Sequence, residues 1–166
     1  MVMVNEGEGK GKTTAAIGQA VRAKGQGLKV KFAQFIKSGS SGELDMLKAI
    51  GVTVEQYGLG FTNKGDRSAH KSAAERGAKI IINDISSKSY DMLVCDEINY
   101  AVSGGFLEEE VVLKLIDEAN IKGVHLVMTG RNPTDKMIEA ADIVTKMVKV
   151  KHAFDKGIPA QVGIEF

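Results

Sequence analysis

A glycine-rich run near the N-terminus has the residue types and spacing of a phosphate-binding loop. It reads Gly7-Glu8-Gly9-Lys10-Gly11-Lys12-Thr13-Thr14 and follows a short apolar segment. Alternate glycines let the backbone turn tightly and direct successive N–H groups inward, which forms a concave anion site. Lys12 is placed to reach a phosphate, and the Thr13 hydroxyl is placed to ligate Mg²⁺. Because Glu6 occupies the first glycine position of the usual pattern, the run is a P-loop variant that begins at Gly7.

Two carboxylates come directly after an apolar run at 92–95 that is typical of a buried strand. They are Asp96 and Glu97, and a P-loop protein needs an acid at this point to hold Mg²⁺ directly or through water. Adjacent side chains of an extended segment point in opposite directions, so we expect the two to have different roles. At least one of them is predicted to serve the metal. Cys95, inside the apolar run, is predicted to be a core residue.

An arginine follows the next apolar run, at 124–128, in the stretch Thr129-Gly130-Arg131-Asn132. Its planar fork of donors suits phosphate oxygens, so Arg131 is a candidate phosphate ligand. Asn132 is predicted to cap a helix that begins at Pro133. Both roles are compatible, because they use neighbouring side chains.

Several other titratable residues are predicted to have no part in the site. His125 lies within a predicted strand and is expected to be structural, whereas His70 is expected to be solvated. Lys29 and Lys31 are expected to be ordinary solvated charges. No His or Cys cluster in the sequence has metal-ligand spacing.

The segments that must position these residues alternate between strand and helix. Apolar runs predict strands at 2–4, 28–36, 52–57, 92–95, 124–128 and 143–150, and helical periodicity predicts helices at 13–24, 43–50, 68–88, 108–119 and 133–141. This alternation predicts an α/β fold of the P-loop NTPase class, with a mainly parallel sheet and helices on both faces. Ligands of such sheets bind at the C-terminal ends of the strands, which is where the candidate residues stand.

Length and composition limit the classes of protein to consider. The 166 residues fit a single domain, 1–166, and the net charge of +1 gives no general attraction to nucleic acid or an anionic membrane. Cys95 is the only cysteine, so no intrachain disulfide forms and a reducing cytoplasm is the expected location. The sequence shows no apolar run long enough for a transmembrane helix and no signal-peptide pattern.

The exact residues of several motifs are more specific than the P-loop class requires. The chain contains, in order, 7–14 (GEGKGKTT), 34–37 (QFIK), 58–62 (GLGFT), 96–99 (DEIN), 129–132 (TGRN) and 151–165 (KHAFDKGIPAQVGIE). Together these stretches closely resemble the P-loop type of cob(I)alamin (corrinoid) adenosyltransferase. The resemblance covers nearly the whole chain, and the C-terminal stretch is specific to that family.

This resemblance implies a RecA-like sheet, a homodimer, and transfer of the 5′-deoxyadenosyl group of ATP to the Co(I) of a corrinoid with release of triphosphate. An electron-donor flavoprotein is a further candidate partner. Lys12, Glu97 and Arg131 are the predicted catalytic residues, and Thr13 with Asp96 or Glu97 is predicted to hold Mg²⁺. The predicted ligand-binding positions are Gly7, Glu8, Gly9, Lys10, Gly11, Lys12, Thr13, Thr14 and Arg131 for ATP, and Phe61 for the corrinoid.

The chain departs from the family pattern at the loop and at the aromatic stretch. Glu8 stands where the family commonly has Asn, and Glu6 where it has Thr, so added negative charge is expected to weaken ATP binding. Asn63 stands where the family usually has Trp. Two other functions therefore stay open: an ATPase or kinase in which Glu97 activates water or a substrate hydroxyl, and a nucleotide-sensing module without catalysis.

Overall fold

A computed structural model of the chain describes residues 1–60 and 66–165. The strands are β1 (Val2–Glu6), β2 (Val30–Gln34), β3 (Thr53–Gln56), β4 (Met92–Asp96), β5 (His125–Thr129) and β6 (Ile143–Lys146). The helices are α1 (Lys12–Gly25), α2 (Gly42–Ala49), α3 (Arg67–Ser86), α4 (Ile98–Ser103), α5 (Glu109–Lys122) and α6 (Asp135–Glu139), followed by a short 3₁₀ helix (Ala153–Lys156).

The six strands form one sheet in the order β3-β2-β4-β5-β1-β6. Each neighbouring pair runs parallel, which confirms the predicted α/β fold with a parallel sheet. In this order β4 and β5 lie between β1 and β2, and β3 and β6 are the two edge strands. The C-terminal ends of β1, β2, β4 and β5 therefore meet at one edge, where such sheets bind ligands.

Each face of the sheet buries its own apolar layer. On one face, α1 packs its small residues Ala16, Ala20 and Ala23 against Phe32 of β2. On the other face, α3 and α5 pack against β4 through residues that include Ala78, Ile81, Leu93, Leu115 and Ile116. Helices on both faces are therefore confirmed, and the buried layers fix the strands whose ends carry the polar residues. Among the described residues, no helix combines the length and apolarity required to cross a membrane.

Local sequence explains where several helices begin and end. The Asp66 carboxylate accepts from the Ser68 backbone N–H at 2.8 Å and caps α3. Gly123 ends α5 in the left-handed conformation, with φ of 66°. The helix α4 was not predicted, because a six-residue helix is too short to produce helical periodicity.

The predicted helix cap at Asn132 is wrong. Asn132 has a left-handed backbone, with φ of 51°, and α6 begins three residues later. The Thr134 hydroxyl accepts from the Met137 backbone N–H at 3.3 Å and serves as the cap instead. Because α6 begins at Asp135, Thr134 takes the cap position, and threonine is also a favoured cap residue.

Two residues expected to be solvated are buried. His70 is 6% exposed and packs against the Phe106 ring, with 5.7 Å between ring centroids, because it lies four residues before Ala74 on the buried face of α3. Lys31 is 2% exposed and pairs with Asp84 on α3 at 2.5 Å and with Glu55 on β3 at 3.1 Å. These paired carboxylates come from distant parts of the sequence, so the local pattern around Lys31 gave no sign of them.

Candidate functional site

The candidate residues lie along the C-terminal edge of the sheet. The P-loop run connects β1 to α1, which begins at Lys12. Asp96 ends β4, Glu97 follows it, and Arg131 follows β5. The fold thus brings together three stretches that are separated by more than thirty residues in the sequence.

The Lys12 side chain lies across the loop that precedes it. Its ammonium donates to the carbonyl oxygens of Gly7 at 2.7 Å and Gly9 at 2.8 Å, and the residue is 8% exposed. Burial lowers the pKa of Lys12, although Glu97 nearby opposes this effect. Since an ammonium has three N–H donors, two loop contacts leave one for a ligand.

The Thr13 hydroxyl and the Asp96 carboxylate form a pair at the centre of the edge. Thr13 Oγ1 donates to Asp96 Oδ1 at 2.8 Å, and Thr129 Oγ1 donates to the same oxygen at 2.7 Å. Asp96 is fully buried. Thr129 also accepts from the Glu97 backbone N–H at 3.0 Å, so one hydroxyl orients both acidic residues.

Two glutamines extend this network and were not predicted. Gln34, at the end of β2, donates from Nε2 to Asp96 Oδ2 at 3.2 Å and accepts at Oε1 from Gln56 Nε2 at 2.8 Å. Gln56 ends β3, so hydrogen bonds run from β3 through β2 and β4 to β5. A polar residue at the end of each strand is the sequence signal that would have found them.

Glu97 occupies a strained turn between β4 and α4. Its backbone is left-handed, with φ of 62° and ψ of 18°, which is unusual for a non-glycine residue. Burial raises the pKa of Glu97, and the neighbouring Asp96 charge raises it further. The turn takes Glu97 out of the strand that Asp96 ends. Glu97 lines both cavities described below, whereas Asp96 lines neither.

Arg131 pairs with a carboxylate of the P-loop. Its Nε lies 3.2 Å from Glu8 Oε2, and both side chains are more than half exposed. Gly130 before it has φ of 129°, and a Cβ there would lie 2.8 Å from the Tyr100 nitrogen. The backbone therefore passes close to α4 and places Arg131 opposite the loop.

The chain after β6 contacts the P-loop twice. The Gly9 backbone N–H donates to the Met147 carbonyl at 2.7 Å, and the Lys10 ammonium donates to the Ile164 carbonyl at 2.6 Å. The Gly9 N–H thus points to Met147, which differs from the expectation that successive loop N–H groups point to a ligand. Thr14 is exposed at the start of α1, and Gly11 has φ of 120°.

Two adjoining cavities open along these residues, with volumes of about 680 and 520 Å³. Both are lined by Lys12, Lys37, Glu43, Glu97 and Glu165. The first adds Gln34 and Arg131, and the second adds Thr13 and Thr14. The predicted corrinoid contact Phe61, and Asn63 beside it, lie outside the described residues.

The residues present suit a magnesium ion bound with substrate phosphates. Within residues 1–60 and 66–165, no three His, Cys, Asp or Glu side chains form a metal-binding group. Thr13 Oγ1 and Asp96 Oδ1 nevertheless supply adjacent hard oxygen donors. Mg²⁺ usually takes one or two protein oxygens and completes its shell with water and phosphate, so this pair fits it.

Comparisons with known proteins identify the family of this chain. A family model described as ATP:corrinoid adenosyltransferase BtuR/CobO/CobP matches residues 1–166. The corrinoid adenosyltransferase of Pseudomonas aeruginosa is 41% identical over 170 residues, covering 100% of this chain and 83% of the relative. Those of Escherichia coli K12 and Salmonella typhimurium are 36% and 35% identical, again covering 100% of this chain and 85% of each relative. The predicted resemblance is confirmed, and the chain belongs to the ATP:corrinoid adenosyltransferase family.

Proposed function

We propose that this chain transfers the 5′-deoxyadenosyl group of ATP to the Co(I) centre of a corrinoid. The cobalt attacks C5′, the C5′–O bond breaks, and its electron pair leaves with the triphosphate. Co(I) is itself a strong nucleophile, so the reaction needs no general base. The protein must hold C5′ near the cobalt and stabilise the leaving triphosphate.

The observation that carries this proposal is the convergence of Lys12, Thr13 and Arg131 on adjoining cavities, with the buried Asp96 hydrogen-bonded to Thr13. Lys12 retains one N–H for a phosphate, and Arg131 faces the P-loop from the end of β5. Thr13 with Asp96 would hold Mg²⁺, which when bound supplies positive charge to the triphosphate. Every one of these groups acts on the leaving group, as the chemistry requires.

Glu97 has a role separate from that of Asp96. Asp96 is fully buried and bonded to Thr13, whereas Glu97 lines both cavities. We assign Asp96 to the protein side of the metal site and Glu97 to the cavity side, where its carboxylate would orient substrate. The remaining positions of the run 7–14 form the wall of the phosphate site.

The wider setting is proposed from family membership. The active form is a homodimer, the corrinoid is reduced by an electron donor of the flavoprotein type, and the reaction takes place in the cytoplasm. Cys95 is compatible with that setting because it is fully buried, and burial raises its pKa to about 12, so the thiol is unreactive.

The test is an anaerobic assay with chemically reduced cob(I)alamin, Mg²⁺ and ATP. The corrinoid spectrum and the phosphate products are followed in the same sample. We expect light-sensitive adenosylcobalamin to appear together with an equimolar amount of triphosphate. A sample without Mg²⁺ tests whether the reaction needs the metal, and a sample without the reductant tests whether it needs Co(I).

The other two functions give different products. Formation of ADP and phosphate without a corrinoid change would mean that attack occurs at the γ-phosphate. Binding of ATP or corrinoid without any product would indicate a nucleotide-sensing module. Either result would overturn the proposed reaction while leaving the phosphate-binding loop intact.

A further inference from the structure

A lysine outside the P-loop lies against the Thr13–Asp96 pair. Lys37 follows β2 by three residues, and its ammonium is 3.4 Å from Asp96 Oδ2 and 3.5 Å from Thr13 Oγ1. Asp96 is buried, whereas the Lys37 side chain is 44% exposed. The ammonium therefore reaches a buried carboxylate from the open side of the site.

A divalent cation at this pair would use the same hydroxyl, Thr13 Oγ1, and the other oxygen of the same carboxylate, Asp96 Oδ1. An ammonium near Asp96 and Thr13 satisfies the carboxylate charge when no metal is present. It also opposes a metal at that pair, because two cations cannot share a carboxylate closely without strong repulsion. One of the two must therefore leave when the other binds.

Lys37 has the freedom to leave the Thr13–Asp96 pair. The Lys12 ammonium is held by two loop carbonyls, and the Arg131 guanidinium is held by Glu8. The distances from Lys37 are longer than those of a strong charged hydrogen bond, and its side chain lines both cavities. A four-carbon side chain with a half-exposed end can turn from Asp96 to a phosphate in either cavity.

We propose that Lys37 exchanges with the divalent cation: its ammonium neutralises Asp96 before the metal binds and turns to the ATP phosphates when the metal binds Thr13 and Asp96. The proposal rests on the proposed function for the presence of ATP and the metal. It gives Lys37 two successive partners, so the buried carboxylate is never left without a counter-charge. Lys37 would thus couple metal binding to nucleotide binding.

The first test measures metal affinity without nucleotide. Mn²⁺ titrations of the full chain, followed by electron paramagnetic resonance, compare wild type with Lys37→Met. We expect Lys37→Met to bind Mn²⁺ about threefold to tenfold more tightly, because a competing charge in a partly solvated site is removed. Lys71→Met is the matched control, since Lys71 is 43% exposed and paired with Glu108 on a surface outside both cavities.

The second test measures ATP affinity with Mg²⁺ present. Lys37→Met is expected to bind ATP about tenfold more weakly, through loss of a charged contact to phosphate, and Lys37→Arg to stay near wild type. Unchanged Mn²⁺ affinity in Lys37→Met would overturn the exchange even if ATP binding fell. A wild-type chain that binds no ATP would contradict the proposed function instead, while the Mn²⁺ comparison would still test Lys37.

Discussion

At the scale of single residues, Lys12 has both a structural and a chemical part to play. Its two hydrogen bonds to Gly7 and Gly9 fix the shape of the loop in which it lies. In the proposed function its remaining N–H and its charge serve the phosphates of ATP. A substitution at Lys12 would therefore remove this proposed contact and also release two loop carbonyls.

Lys12→Ala is predicted to abolish adenosyl transfer and to weaken ATP binding by at least about a hundredfold, because a charged phosphate contact and the loop shape are lost together. Isothermal titration with Mg-ATP measures the binding, and circular dichroism establishes that the sheet is retained. Full activity in a correctly folded Lys12→Ala chain would remove the phosphate-loop assignment. Lys29→Ala, at an exposed lysine distant from the loop in sequence, is the control.

Glu8 acts in the opposite direction to Lys12. Its carboxylate holds the Arg131 guanidinium at 3.2 Å, so a triphosphate must compete with Glu8 for Arg131. The same carboxylate repels the phosphate charges. Since the Glu8–Arg131 pair is exposed, its contribution is small, and the competition is expected to be measurable but modest.

Glu8→Gln is predicted to tighten ATP binding about twofold to fivefold, and the gain is expected to shrink as salt concentration rises. Titrations at low and high salt measure both effects. Glu108→Gln is the matched control, because Glu108 is also an exposed carboxylate in an ion pair, with Lys71. Weaker ATP binding in Glu8→Gln would show instead that Glu8 positions Arg131 for the nucleotide.

The sequence pattern predicted which stretches meet at this site better than it predicted their contacts. The strand–loop–helix context predicted that Thr13 and Asp96 lie at one sheet edge, and Thr13 Oγ1 lies 2.8 Å from Asp96 Oδ1. The pattern missed Gln34, which ends β2, and Lys37, which follows it by three residues, and assigned them no role. Which side chains of neighbouring strands touch depends on register, and register is a property of the folded sheet.

At the scale of elements, an ionic cluster around the buried Lys31 joins β2 and β3 to α3. Lys31 on β2 contacts Asp84 on α3 and Glu55 on β3, and Tyr57 donates its hydroxyl to Glu55. Because β2 carries Gln34 and leads to Lys37, the contacts of Lys31 help to hold in place the strand that supplies these two residues to the site. A local sequence pattern does not reveal the cluster, since its members span more than fifty residues.

Lys31→Met is predicted to lower the free energy of unfolding by about 2–4 kcal/mol at pH 7, because it leaves a largely buried Asp84 without its counter-charge. Urea denaturation measures the difference. Lys71→Met, at an exposed ion pair on α3, is expected to change stability little. Equal stability of the Lys31→Met and wild-type chains would mean that the cluster contributes nothing net.

The pH dependence of this difference follows from two opposite pKa shifts. Burial alone would raise the pKa of Glu55, but hydrogen bonds from Tyr57 and Lys31 outweigh it and hold the pKa below 4.5. Burial alone would lower the pKa of Lys31, but Asp84 and Glu55 outweigh it and hold the pKa above 10.5. Because the folded-state pKa of Glu55 is lowered, its contribution to stability is lost as pH falls below the unfolded-state pKa of Glu55. Because the folded-state pKa of Lys31 is raised, its contribution to stability is lost as pH rises above the unfolded-state pKa of Lys31. The stability gap is therefore expected to be widest between about pH 5 and 10 and to narrow in acid.

At the scale of elements, the sequence predicted the six strands and the long helices, because strands of a parallel sheet and the buried faces of helices are rich in apolar residues. It did not predict α4, and it extended the last strand to 150, whereas β6 ends at Lys146. Val148 and Val150 are apolar but exposed, so composition alone suggested a strand there. The pairing of β6 with β1, which sets its length, could not be deduced from the apolar run.

At the scale of the whole molecule, the sheet has one apolar edge. All four residues of β6 are exposed, and among residues 1–60 and 66–165 only β1 pairs with it. Ile143 and Val144 are 44% and 40% exposed, and the following chain adds apolar side chains. An unprotected edge strand with exposed apolar residues favours association, and a second copy of the chain is the partner that the proposed homodimer supplies.

Val144→Lys is therefore predicted to shift the chain from dimer to monomer, because a lysine on an edge strand opposes strand pairing and removes apolar contact. Sedimentation velocity over a range of protein concentrations measures the change. Ile121→Lys is the matched control, since Ile121 is an apolar residue on α5 that is 76% exposed and lies away from β6. If Ile121→Lys dissociates the dimer and Val144→Lys does not, the interface lies on the helical face. Because β6 continues into the segment that contacts Gly9 of the P-loop, dissociation at β6 is also expected to weaken ATP binding in the same titration.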